Sequence, residues 1–163
     1  MNNIADWQTL FAVQAGAAAT LTGLVFVAVS INLPRIIATP GLAGRAAESL
    51  IQFLQVFFLS TAALIPKQPL RSLAIELLVI AVLSWVLQGI SQIRYARIRS
   101  GHPLHWLVVR TVQTQLASIA FLGSSVLLVR GDSAGLYWLV PGFAFSFVAG
   151  VANAWVLLVE ILR

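Results

Sequence analysis

Between Trp7 and Pro34 the chain places no charged residue. About 20 apolar residues cross a bilayer as a helix, so a run of that length and character constrains the fold before anything else does. The pattern recurs: residues 49–66, 77–93, 111–129 and 133–159 are also free of charge, and nearly every charged side chain falls between these runs. A water-soluble fold is thereby excluded. Only 9% of the 163 residues are charged and 60% are hydrophobic, where a soluble domain carries about a quarter charged residues. Mean hydropathy is +0.93. Five spans of about 20–25 residues consume most of the length, and the loops left over are too short for a separate soluble domain. Residues 1–163 are read as one all-α transmembrane domain, a bundle of about five helices.

Breakers delimit the spans. The first runs from about Ile4 to Asn32. The second starts near Ala43 and ends before Pro66, where Pro66-Lys67-Gln68-Pro69 makes a tight turn and Pro69 can open the next helix. The third reaches about Arg99, and Gly101-His102-Pro103 breaks it. The fourth covers Leu104 to Val129. Gly131-Asp132-Ser133-Ala134-Gly135 is a turn before the fifth, which carries Pro141 within its first two turns. The second span is the weakest: Arg45, Glu48, Ser49, Gln52 and Gln55 share a face at helical spacing. Glu48 reads as interfacial there, paired along the face with Arg45. The alternative architecture is four spans plus one interfacial helix.

With five spans, Arg35, Arg45, Arg94, Arg97, Arg99, Arg110 and Arg163 share one side, and Lys67, Arg71 and Arg130 the other. The richer side is expected to be cytoplasmic, which sets the N-terminus outside and the C-terminus inside. Trp7, Tyr137 and Trp138 would then anchor the outer interface, and Tyr95, Trp106 and Trp155 the inner one. No basic first region precedes the apolar run and Asp6 is acidic, so the first run reads as a retained span rather than a cleaved signal. The net charge of +5 serves topology and lipid headgroups rather than nucleic acid, for which no basic-aromatic patch exists.

Small residues recur at close-packing spacing on two helices: Ala12, Gly16, Ala19 and Gly23 on the first, Gly142, Ser146, Gly150 and Ala154 on the last. Small faces let backbones approach where lipid supplies no hydrophobic drive, either inside one protomer or between copies in a homo-oligomer. Polar residues form a second pattern. Thr111, Thr114, Gln115, Ser118 and Ser125 lie close to one face of the fourth span, and Gln52, Gln55, Gln88 and Gln92 stand on the second and third. Such groups must meet one another, line water or reach the interface. Glu76 is a carboxylate amid Leu73 to Ile80, about 10 Å along its helix from Pro69. It is either a snorkelling residue or a proton or cation site. Arg94, Arg97 and Arg99, with His102 and His105 nearby, form a cluster suited to anionic headgroups or another anion. Two histidines without a third ligand do not make a metal site.

No cysteine is present, which removes thiolate chemistry and disulfides. Motifs for zinc proteases, serine hydrolases and nucleotide-binding loops are missing. Lys67, the one lysine, is in a loop. Neither an enzyme nor a cofactor is expected.

The segment Trp7-x3-Phe11 followed by Gly16-Ala-Ala-Ala-Thr-Leu-Thr-Gly-Leu-Val-Phe-Val-Ala-Val-Ser30 resembles the first span of small uncharacterised bacterial multi-span membrane proteins, which open on a G-A-A-x-x-L-x-G-L-x-F-V-A-like helix. The resemblance covers about the first 30 residues. It implies a bacterial inner membrane and no particular activity. The sequence-based expectation is therefore a homo-oligomer that conducts an ion or small solute along a polar seam of Gln115, Ser118, Thr111, Gln52 and Gln55. The alternatives are a regulatory or scaffold subunit bound to another membrane protein, and a proton-coupled transporter using Glu76.

Overall fold

The computed structural model describes residues 4–39, 41–98 and 104–159. Among these there is no strand. A single 3-10 turn, Ile4–Trp7, leads into six helices: α1 (Gln8–Ile31), α2 (Leu33–Ala38), α3 (Leu42–Ala63), α4 (Leu70–Ile98), α5 (Leu104–Val129) and α6 (Gly135–Val159). All but α2 are long and apolar enough to cross a membrane, and they coincide with the five expected spans. The short α2 was not foreseen. Its Leu33-Pro34 start lets proline sit in the first turn, where a missing N–H costs nothing.

Local chemistry explains the ends. Gly131 N–H donates to Leu128 O and Asp132 N–H to Leu127 O, with Gly131 at φ +84°. This is the paired bonding of a Schellman stop, which a left-handed glycine permits. The Asp132 carboxylate then accepts from Ala134 N–H at 2.9 Å, turning the chain into α6. Gly41 caps α3 at φ +89°. In the 66–69 turn Lys67 holds φ +56°, a region that a residue with a Cβ enters at a cost.

Successive long helices alternate in direction, so one end of the bundle carries Trp7 and the 64–69 and 130–134 turns. The other carries α2 and Arg35. α3 packs against α1, α4 and α6, and α5 closes the ring between α4 and α6. α1 lies outside this ring and meets α6 only sparsely; Phe11 packs on Phe143 (ring centroids 6.4 Å apart), and Trp7, in the turn before α1, packs on Tyr137 (4.9 Å).

The span that looks weakest by hydropathy is thus the central one. In its membrane-length window 61% of α3 is buried, against 22% of α1. The polar face of α3 is turned into the bundle, where neighbouring helices supply it with partners. The interior divides along its length. The Trp7 half is mostly apolar, built on Phe11, Val56, Leu59, Leu77, Phe121 and Phe143 with Ser60, Ser124 and Ser125 buried among them. The Arg35 half, from Glu48 to Gln55 on α3, is largely polar.

The outer surface is the reverse of a soluble protein's. Phe26, Ile31, Leu83, Ile93 and Ile119 are among many large apolar side chains more than half exposed, a surface that calls for apolar surroundings. Hydroxyls on outward helix surfaces bond their own backbone: Thr20 to Gly16 O, Ser30 to Phe26 O and Thr61 to Phe57 O, at 2.8–2.9 Å. That satisfies them without water.

Candidate functional site

The polar half of the interior gathers the buried charged and amide side chains, and α3, α4 and α5 build it. At its Arg35 end Arg110 of α5 grips Glu48 of α3: Nε donates to Oε2 at 2.7 Å, and Nη2 stands 2.6 Å from Oε1. Glu48 is 1% exposed and Arg110 8%. The expectation of an interfacial Glu48 paired with Arg45 is overturned. Arg45 lies three residues away on the same helix, but α5 delivers a guanidinium from across the bundle that hydrogen-bonds one carboxylate oxygen and lies at ion-pair distance from the other. Nothing local to α3 announces this pair. The one available signal was that Arg110 begins an otherwise uncharged span.

One turn further along α3 comes a glutamine chain. Gln52 Nε2 donates to Gln88 Oε1 at 2.9 Å, and Gln88 Nε2 donates to Gln55 Oε1 at 3.1 Å. Gln88 of α4 is fully buried and clamps two turns of α3 at once. Helical spacing puts Gln52 and Gln55 on one face, and Gln88, a polar residue of the next span, is the partner they share. Gln52 Oε1, Gln55 Nε2 and Gln92 Nε2 make no further hydrogen bond. Ser49 Oγ donates to Gly150 O of α6 at 3.1 Å, and Ser91 Oγ to Gly44 O at 3.4 Å, so α3 is tied to both neighbours.

The α5 residues expected to share this seam do other things. Thr114 and Ser118 are buried, but their hydroxyls bond the carbonyls of Arg110 and Thr114 one turn back, both at 3.0 Å, as Ser125 bonds Phe121 O. Gln115 is half-buried and accepts from the Trp85 indole at 3.0 Å. Thr111 is half-buried. The fold therefore joins Gln52 and Gln55 through Gln88, and sets Gln115 against Trp85 on a partly exposed seam of α4 and α5. Glu76 is half-buried on α4 and forms no ion pair among the described residues. Arg94 and Arg97 are exposed at the Arg35 end. Arg99 and His102 lie outside the described residues, as does the side chain of His105.

The two small-residue faces part company. On α6, Gly142, Ser146, Gly150 and Ala154 are buried. A Cβ on Gly142 would stand 2.5 Å from Phe121 Cε1, and one on Gly150 2.5 Å from Phe53 Cε1. These glycines admit aromatic rings of α5 and α3 within the protomer. On α1 the opposite holds. Phe11, Ala18, Val25 and Ala28 face the bundle, while Ala12, Gly16, Ala19 and Gly23 are exposed on the other side, and nothing lies within 4 Å of a Cβ on Gly16 or Gly23.

Among the described residues no group of three acidic or histidine side chains could hold a metal ion. No protein-family model matches the chain, and neither a curated protein nor a solved structure matches it.

Proposed function

We propose that this chain is a multi-pass membrane protein of a bacterial inner membrane, N-terminus outside and C-terminus cytoplasmic, whose role is assembly: copies associate through the exposed small-residue face of α1. The observation that carries the reading is the division of α1 into a packed face and an open one. Ala12 with Gly16 and Ala19 with Gly23 have the four-residue spacing at which helices approach closely in lipid, and the protomer leaves Gly16 and Gly23 uncovered. The polar side chains that a pore would turn toward a central path are in large part spent on one another, as Glu48 with Arg110 and Gln52 and Gln55 with Gln88. That supports glue between helices over conduction. The orientation rests on the Arg-rich Arg35 end of the bundle.

The chain has no cysteine, so single-cysteine variants report unambiguously. Ala12→Cys and Ala19→Cys should each form a disulfide-linked dimer in native membranes. Leu83→Cys, on the exposed face of α4, should not, and Gly16→Leu should abolish the Ala19→Cys dimer. A monomer in both the Ala12→Cys and the Ala19→Cys backgrounds would refute the assembly reading. A passive path along the seam is the second reading, favoured by the unspent Gln52 Oε1 and Gln55 Nε2. It requires ion flux in proteoliposomes that Gln88→Leu changes.

A further inference from the structure

Because α1 leans on α3 and barely touches α6, an apolar groove opens between α1 and α6 toward the Arg35 end. Its floor is Val25, Phe53 and Ala154, and Leu24, Val151, Trp155 and Leu158 form its walls. Gly150 sets the depth of the floor, since only a residue without a Cβ lets the Phe53 ring lie where it does. The cavity measures about 170 Å³, far above the roughly 10–15 Å³ that one water requires. Apart from the Trp155 indole, no lining side chain offers water a hydrogen bond. Its occupant must be apolar and elongated: Val151 to Leu158 alone covers about 10 Å of helix, most of one leaflet's half of the roughly 30 Å hydrocarbon core.

The groove has a charged end. Val29 continues from its floor into a small cluster of Ile36, Ala46 and Leu157. Leu157 neighbours the wall residue Leu158, and the other two neighbour arginines. Arg35, exposed on α2, precedes Ile36, and Arg45, half-buried on α3, precedes Ala46. Neither forms an ion pair among the described residues. Among the described residues no free carboxylate shares this end: Asp6 and Asp132 lie at the Trp7 end, Glu76 in that half of α4, and Glu48 is engaged by Arg110. Glu160 lies outside the described residues.

An apolar slot of tail length, at the end of the bundle that carries Arg35 and Arg45, matches one ligand chemistry. We infer that the groove holds an acyl chain of an anionic phospholipid, with its phosphate bound by Arg35 and Arg45. The site rests on the membrane reading above. It lies on the side of α1 opposite Gly16 and Gly23, so lipid binding and self-association are separable.

The test is native mass spectrometry of the detergent-purified full chain, titrated with phosphatidylglycerol or phosphatidylcholine of identical acyl chains. Wild type should retain one phosphatidylglycerol at least fivefold better than phosphatidylcholine. Leu24→Trp fills the groove from an exposed wall position without straining the core, and it should lower retention of both lipids at least fivefold. Arg35→Gln combined with Arg45→Gln should abolish the headgroup preference and keep residual chain binding. Equal retention of both lipids by wild type, or undiminished phosphatidylglycerol on Leu24→Trp, would overturn the site. The same spectra resolve monomer from dimer. Lipid kept with dimer absent would count against the assembly reading alone, and dimer kept with lipid preference absent would count against this one alone.

Discussion

Removing one member of the Glu48–Arg110 pair should be far more damaging than removing both. Arg110 presents two nitrogens to the carboxylate, at 2.7 and 2.6 Å. Nε makes the one hydrogen bond of the pair, and a hydrogen bond to a charged group contributes about 1.5–3 kcal/mol, with the Nη2–Oε1 ion-pair attraction in addition. In a bilayer the unfolded helices also find partners, which trims the value. Stranding one charge in a protein interior typically costs about 3–5 kcal/mol, whereas apolar replacement of both partners is often neutral. Arg110→Met and Glu48→Gln should therefore each destabilise by about 3 kcal/mol. The double variant Glu48→Leu with Arg110→Met should fall within about 1 kcal/mol of wild type. Equilibrium unfolding in mixed micelles, run as a double-mutant cycle, reads the coupling directly. Additive effects of under about 1 kcal/mol each would mean that the pair is solvated in the membrane and that the buried geometry is wrong.

Glycine substitutions should separate the two helix faces. Gly142→Ala forces the Phe121 ring to move and should cost about 1–3 kcal/mol in the same unfolding assay. Gly16→Ala, with nothing within 4 Å, should leave a monomer's stability within about 0.5 kcal/mol. Gln88→Leu strands the Gln52 amide and the Gln55 carbonyl together, and should destabilise by about 2–6 kcal/mol at roughly 1–3 per stranded group; a loss below about 1 would deny the clamp. Lys67→Gly relieves a left-handed backbone at φ +56° and should raise stability by up to about 1 kcal/mol, measured as a later unfolding midpoint.

Five helices and most of their ends were legible in the sequence because they are consequences of local composition. An uncharged run of about 20 residues needs no knowledge of its neighbours to be a span, and Gly131-Asp132 stops one helix and starts the next through bonds within a few residues. Even the pairing of Gln52 with Gln55 on one face follows from helical periodicity alone. What each face meets does not follow. Hydropathy ranks α3 last among the spans, and a helix that is poorly soluble in lipid belongs either at the interface or at the centre. Only the packing of α1, α4 and α6 around it decides for the centre. The same limit hid the Glu48–Arg110 pair, whose partners are 62 residues apart, while Arg45 offered a local partner at helical spacing. The two small-residue stripes look alike in sequence. Tertiary structure gave Phe121 and Phe53 to one and left the other bare, because a stripe records how closely something can approach, whereas the neighbouring helices determine what does.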